Sequence, residues 1–356
     1  GMGFEAGSAV GIMAHTSYDW FLLDMAIARA GLISVPIYET SSAEQIEWIV
    51  SDSDVCLVIT ESGTLAELVH GAVAGIGHTV EVLALDSDAV TTIVQAGSGI
   101  SPSQVDQRSN ALKVDDVYSI IYTSGTTGRP KGVAITHANV QNTTLDLERR
   151  FPLGRDDVFL LKTSFTFDIF GTEIYGWLVG DGRLAILPVG QEGDPQALAR
   201  AVRTYGVTHL NSSPTMLRVL LATVESTGRR HDLNGLTYLF SGGEALTPDI
   251  IERFFALRLP CTLENVYGPT EATMWATHTR IHPEDSVANA PIGTPLNDYR
   301  IYILNSRGDL CGTDLPGEVC IAGAGVGVGY LNREELTAEQ FVENPFFDAD
   351  IDPAYM

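Results

Sequence analysis

Apolar positions recur along the chain with two alternating periods. Over residues 17–30 they fall at helical spacing and stop before Gly31. Over 42–52 they do so again, behind a serine with Gln45 three residues on, the pattern of a capping box. Val55–Thr60 is a continuous apolar run of strand length. The alternation continues with strands over 82–85 and 118–123, a helix after Thr136, a strand over 184–188, a helix over 194–205, a strand over 207–211, a helix over 216–224 and a strand over 236–241. Residues 96–107, rich in Ser, Gly, Pro and Gln, are expected to form a surface linker. Helix and strand taking turns predicts an α/β fold with largely parallel sheets. From about Ala290 the texture changes to short strands, Tyr299–Leu304 and 318–321, separated by turn residues, which predicts a small β-barrel or antiparallel sheet.

Composition narrows the function classes. A chain of 356 residues with 45% hydrophobic content has material for two or three domain-sized units. No apolar run reaches the roughly 18 residues of a membrane helix, and the opening Gly1-Met2-Gly3-Phe4-Glu5 lacks the basic-then-apolar order of a signal peptide, so a cytoplasmic location away from membranes is expected. A net charge of −24 with no basic patch argues against nucleic acid as a partner. Cys56, Cys261, Cys311 and Cys320 form no CxxC pair and read as buried, reduced thiols. His278 and His282 stand four apart, but Pro283 and the β-branched run over 277–281 make ordinary surface histidines the expectation. Gly323, Gly325, Gly327 and Gly329 recur every second residue, which fails the dinucleotide spacing and suits a strand and turn where backbones approach closely.

The most informative stretch is Ile121-Tyr122-Thr123-Ser124-Gly125-Thr126-Thr127-Gly128-Arg129-Pro130-Lys131-Gly132-Val133. It leaves a strand, packs hydroxyls and glycines into a loop, and meets a lysine. Glycines let backbone N–H groups form a concave nest, hydroxyls donate to phosphate oxygens, and Lys131 supplies a point charge for a departing pyrophosphate. A Walker loop would place Gly-Lys-Ser/Thr four spacer residues after its first glycine, where this chain has Pro130-Lys131-Gly132.

This loop resembles the phosphate-loop signature of the adenylate-forming superfamily, which comprises acyl-CoA ligases, luciferases and nonribosomal peptide synthetase adenylation domains. Ala30-Gly31 with Val35-Pro36, Ser241-Gly242-Gly243-Glu244-Ala245-Leu246, Asn265-Val266-Tyr267-Gly268-Pro269-Thr270-Glu271, and Gly317-Glu318-Val319 through Gly329-Tyr330-Leu331 resemble further motifs of that family in the right order. The resemblance implies two adjacent, largely parallel sheets layered with helices plus a small C-terminal β-barrel-like subdomain. It divides the chain at about 1–155, 156–289 and 290–345, with 346–356 the start of a hinge. It also implies that Thr123, Ser124, Gly125, Thr126, Thr127, Gly128 and Lys131 hold the phosphates of ATP. Gly243, Glu244 and Ala245 line the base, Tyr267 stacks on adenine with Asn265 and Gly268 beside it, Thr270 contacts the α-phosphate, and Glu271 holds Mg2+. Lys131, Thr270 and Glu271 are the implied catalytic set. The implied reaction is attack of a carboxylate on the α-phosphorus of MgATP, giving an acyl adenylate and pyrophosphate, with no protein nucleophile.

Phe167-Asp168-Ile169 decides the substrate class. In the peptide-synthetase branch an aspartate here pairs with a substrate α-ammonium, so the resemblance implies an amino acid; a helix cap is the alternative role for Asp168. By motif position the pocket is lined by Phe167, Asp168, Ile169, Thr172, Asn211, Phe240, Gly242, Val266, Met274 and Trp275. Indole, thioether and phenyl groups crowd that list, which predicts a small neutral amino acid, glycine first, then alanine, serine or cysteine. The implied partner is a peptidyl carrier protein bearing a phosphopantetheine thiol. Residues 12–62 look more like a long-chain acyl-CoA ligase, which makes fatty-acyl activation the second reading, and a nucleotide-binding module without catalysis is the third. The family's opening segment, and the small C-terminal domain with its second lysine, are expected to lie outside residues 1–356, so the chain is expected to be the large core of an adenylation domain.

Overall fold

The computed structural model describes residues 2–87, 89–123 and 129–347. These divide into two compact units, one drawn from the described residues of 2–138, 164–167 and 327–343, the other from 139–163, 168–326 and 344–347. The chain begins with β1 (Ala9–Met13), α1 (Tyr18–Arg29), β2 (Ile33–Pro36), α2 (Ala43–Asp52), β3 (Val55–Thr60), α3 (Gly63–Val73), β4 (Glu81–Ala84), α4 (Ala89–Gly97), α5 (Pro102–Asn110), β5 (Val117–Thr123) and β6 (Lys131–Thr136). It goes on through α6 (His137–Arg150), β7 (Val158–Leu161), α7 (Phe170–Val179), β8 (Arg183–Ile186), α8 (Pro195–Tyr205), β9 (His209–Ser212), α9 (Pro214–Ser226), β10 (Tyr238–Ser241), α10 (Pro248–Ala256) and β11 (Thr262–Tyr267). It ends with β12 (Thr277–Arg280), β13 (Thr294–Pro295), β14 (Tyr299–Leu304), β15 (Glu318–Gly323), β16 (Gly329–Tyr330) and α11 (Glu334–Gln340).

Among the described residues each unit holds one seven-stranded sheet. The first has the order β16-β6-β5-β2-β1-β3-β4, parallel from β5 to β4, with β6 antiparallel to β5 and β16 antiparallel to β6. The second has the order β13-β12-β11-β10-β9-β7-β8, parallel from β8 to β11 and antiparallel beyond. β14 and β15 form a separate antiparallel pair, the second of the two forms expected for the C-terminal region.

Local chemistry sets these elements. Ser42 and Gln45 close the expected capping box on α2. Asp194 caps α8, Pro195 fills its first turn, and Gly206 at φ 65° ends it in the left-handed conformation. The stretch expected to be a linker is instead helical. α4 runs to Gly97, and Ser101 with Gln104 makes a second capping box in front of α5, with Pro102 in its first turn. α5 buries no residue, so it has no apolar stripe for periodicity to detect, and only its cap marks it. The four cysteines are free; Cys261 alone is buried and the other three are half-buried. His278 also departs from expectation. It lies on β12 with Nε2 2.8 Å from Glu264 Oε2 and its ring edge-on to Phe151, while His282 is exposed.

Candidate active site

In the first unit, β5 and β6 are antiparallel neighbours with Thr123 opposite Lys131, so the phosphate-loop motif joins two paired strands. Ser124, Gly125, Thr126, Thr127 and Gly128 lie outside the described residues. Among the described residues Thr123 Oγ1 is buried without a hydrogen-bond partner, and a phosphate oxygen would satisfy this donor. Lys131 Nζ donates to the Tyr330 hydroxyl at 2.7 Å and lies 4.2 Å from that ring's centroid. β16 brings Tyr330 there by pairing with β6. Upstream of the lysine, Trp48 Nε1 donates to the Pro130 carbonyl at 2.9 Å, with the guanidinium groups of Arg129 and Arg333 at 4.9 and 4.8 Å from the indole. Phe167 also belongs to this unit and is 60% exposed.

In the second unit, β10 and β11 are parallel neighbours, Ser241 beside Asn265, so the segments leaving their C-terminal ends emerge side by side. That edge is where open α/β sheets bind ligands. Gly243 sits at φ 86° with open space where a Cβ would stand, and a Cβ on Gly242 would lie 2.7 Å from Val266 Cγ2. Glu244 is exposed and accepts from Thr215 Oγ1; Ala245 is exposed beside it. Asn265 is buried with its amide donating to the Pro291 carbonyl at 2.8 Å, so this side chain ties down a neighbouring segment.

Tyr267, Gly268, Thr270 and Glu271 are half-buried on the turn after β11. A Cβ on Gly268 would fall 2.5 Å from the Met274 carbonyl oxygen, so the turn closes only around glycine. Thr273 and Met274 follow at φ 56° and 67°, a conformation that costs a non-glycine residue about 1–3 kcal/mol. Asp168 Oδ2 accepts the Met274 N–H at 2.8 Å. Helix α7 has Ile169 at its cap, directly after Asp168, so the carboxylate stands between the helix start and the turn. Burial pushes the Asp168 carboxyl up to about 6; the Met274 and Ile169 N–H groups pull against this, and the Glu271 charge adds to it.

The remaining pocket residues share one face of the second sheet. Asn211 of β9 and Phe240 of β10 are register partners, and Trp275 packs on Phe240 with centroids 5.1 Å apart. Val266 and Met274 are buried, Ile169 is half-buried, and Gly171 passes so close to Met274 that a Cβ there would be 2.7 Å from its sulfur. Asn211 Nδ2 donates to Thr172 Oγ1 at 2.7 Å, and that hydroxyl donates to the Ile169 carbonyl at 2.8 Å. Among the described residues Asn211 Oδ1 and Trp275 Nε1 remain buried without partners. The same holds for Nε2 of His209, a residue the sequence reading missed although it stands two positions before Asn211 on the same face. Burial pushes His209 down to about 4, so it is neutral. Phe151, Thr172, His209, Phe240 and Trp275 line a cavity of about 20 Å³, room for a single water.

Glu271 offers a hard carboxylate oxygen, and among the described residues no cluster of three or more His, Cys, Asp or Glu side chains could hold a metal by itself. The donor chemistry fits Mg2+, which takes one or two carboxylates and draws its other ligands from phosphates and water.

Polyketide synthase PksN of Bacillus subtilis (strain 168) is 34% identical over 346 residues, which are 97% of this chain and 6% of that protein. Tyrocidine synthase 3 of Brevibacillus parabrevis is 33% identical over 337 residues, 95% of this chain and 5% of that protein. This chain therefore spans a small part of the length of these relatives. Among solved structures, the nonribosomal peptide synthetase FmoA3 superposes with a TM-score of 0.83 at 26% identity, covering 97% of this chain and 35% of that one. The Klebsiella oxytoca NpsA N-terminal subdomain, in complex with 3-hydroxybenzoyl-AMSN, superposes with a TM-score of 0.79 at 25% identity, covering 96% of this chain and 81% of that one. The family model described as AMP-binding enzyme matches residues 1–331, and the chain belongs to that family.

Proposed function

We propose that this protein activates a small neutral amino acid as its aminoacyl adenylate, using ATP and Mg2+ and releasing pyrophosphate, for transfer to the phosphopantetheine thiol of a carrier protein. The observation that carries the amino-acid reading is Asp168. Its carboxylate is held by the Met274 N–H, and its pKa is raised because burial and the Glu271 charge disfavour ionisation. A substrate ammonium would offset both penalties, whereas a simple fatty acid would bring a second anion.

In this reading Tyr267 stacks on adenine while Gly243, Glu244 and Ala245 line the base with their backbone. Thr123 and residues 124–128 take the phosphates, Lys131 balances charge on the leaving pyrophosphate, and Thr270 contacts the α-phosphate. Glu271 would hold Mg2+, which supplies charge neutralisation when bound. The residues orient the substrate carboxylate for in-line attack; none acts as a nucleophile. Crowding by Phe240, Met274 and Trp275 supports a small side chain, and the unpartnered Asn211 Oδ1 supports a short hydroxyl or a water at its tip. No helix of the described residues is long and apolar enough to cross a membrane.

Amino-acid-dependent exchange of labelled pyrophosphate into ATP by the intact protein tests the proposal. Glycine, alanine, serine or cysteine should drive exchange, and a strong preference for phenylalanine, arginine or glutamate would overturn the pocket reading. Exchange driven by long-chain fatty acids and by no amino acid would overturn the substrate class.

A further inference from the structure

The strained turn that carries Glu271 and Met274 is supported, besides Asp168, by Tyr299 and Thr143, which lie in none of the nucleotide or substrate motifs. A β-branched residue such as Thr273 rarely enters positive φ, and such a turn persists only where its surroundings over-determine it. The Tyr299 hydroxyl, at the start of β14, donates to the Ala272 carbonyl at 2.8 Å. Thr143 of α6 places its hydroxyl 2.9 Å from the Tyr299 oxygen and 3.3 Å from the Thr273 carbonyl. Asp168 takes the Met274 N–H. Because a carbonyl can only accept, the single Tyr299 proton lies on the bond to Ala272, and the Thr143 proton is directed to the phenol oxygen at 2.9 Å or to the Thr273 and Asn139 carbonyls, both at 3.3 Å.

The seat of the tyrosine is equally specific. Tyr299 is 1% exposed, and burial raises its phenol pKa, so it remains a donor at any working pH. A Cβ on Gly325 would lie 1.6 Å from the Tyr299 oxygen, so only glycine leaves room for the ring. Asn139, one helical turn before Thr143, holds the glycine segment by donating to the Ala324 and Val326 carbonyls at 2.8 and 3.0 Å.

We infer that Tyr299, bonded to Thr143 and seated by Gly325, is a positioning residue that holds the turn over 270–274, and with it Glu271 and the Asp168–Met274 pair, in the geometry the activation step requires. This rests on the activation reading above. Tyr299→Phe in the intact protein keeps the ring and removes only the hydroxyl. We expect kcat/KM for the amino acid to fall about tenfold or more, through both KM and kcat, since small misplacements of reacting groups are costly. Adenosine affinity, which in the same reading rests on Tyr267 and the backbone at 243–245 and not on Thr270, should stay within about twofold. Hydrogen exchange of the amides at 272–276, followed by mass spectrometry without substrate, should accelerate. Thr143→Val should reproduce this split and Thr143→Ser should restore it; this pair decides the matter if Tyr299→Phe fails to fold. A lowered melting temperature with kcat, both KM values and amide exchange unchanged would make Tyr299 a packing residue and overturn the inference. Amide exchange needs no turnover, so a parent protein that activates no amino acid would sink the activation reading and leave the role of Tyr299 in the turn to be decided by that measurement.

Discussion

Replacing Asp168 by asparagine separates the charge of this side chain from its shape. The asparagine Oδ1 keeps an acceptor for the Met274 N–H, so the turn stays supported, and what is lost is the counter-charge for a substrate ammonium. Removing one partner of a buried ion pair costs about 3–5 kcal/mol, or about two to four decades in amino-acid kcat/KM by pyrophosphate exchange. The same substitution should stabilise the folded protein. The carboxyl is pushed up to about 6 from 3.8, chiefly by burial, so its stabilising contribution is fully present below pH 3.8 and is lost as pH rises through 6. Above that the ionised folded state carries a penalty of about 3 kcal/mol as an upper figure, at about 1.4 kcal/mol per pKa unit. Asp168→Asn removes it, so its urea midpoint should exceed the parent's at pH 8 and match it below pH 4.

Substrate binding should follow the same titration. The carboxylate is half protonated at pH 6, so the apparent Kd for the amino acid without nucleotide should rise about tenfold between pH 7 and pH 5. The asparagine variant should show weak binding and no such dependence. Bound MgATP should lower the midpoint by neutralising Glu271, whose charge helps to raise the Asp168 pKa. Undiminished exchange by the variant, or a urea midpoint that tracks the parent's at both pH values, refutes the reasoning.

Glu271→Gln should lower the pH midpoint of amino-acid binding and raise the Mg2+ needed for half-maximal exchange, by at least the roughly 10–100-fold that losing even an outer-shell partner costs; Mg2+ titrations at several pH values check both. Gly268→Ala places a Cβ against the backbone of Met274, Trp275 and Ala276, where no rotamer change relieves it; exchange should be lost, with a thermal melt reporting a cost of about 1–3 kcal/mol or more. Trp275→Ala, at about 3–5 kcal/mol in stability, should widen the pocket above Phe240 and shift preference in an amino-acid panel towards larger side chains.

Much of this site was legible because its chemistry is compressed into short motifs. The Tyr267 to Glu271 run and the 123–131 loop carry the proposed phosphate and metal chemistry without any tertiary information. What stayed hidden comes from elements far away in sequence. Tyr299 reaches Ala272 from 27 positions on, Thr143 reaches Thr273 across 130, and Tyr330 meets Lys131 across 199. No local period predicts such contacts, and the motif-based assignment of Asn265 to the nucleotide could not foresee that its amide is spent on Pro291. α5 was missed for a different reason: with no buried face, only its serine cap betrays it.

The strand residues proposed for the pocket share a face because the opposite face of the same sheet fixes their register. Leu210, Leu239 and Leu263 are mutual register partners on β9, β10 and β11, and all three are buried in the core cluster of the second unit. Each contributes about 1.5–3 kcal/mol by its burial, so the leucine row resists any slip. Side chains alternate along a strand, and the row on the other face is therefore set as Asn211, Phe240 and Glu264, with Val266 two positions further on. A slip of one residue would turn the leucines into the pocket and drive asparagine, phenylalanine and glutamate into the apolar core. The core-facing leucines thus hold the register while the other row is left for polar and aromatic contacts: among the described residues Asn211 keeps an unpartnered acceptor, Phe240 supports Trp275, and Glu264 binds His278 and Arg280. Because the two faces are read by the same alternation, substrate preference can be altered by exchanging pocket-face residues without disturbing the parallel pairing that positions them.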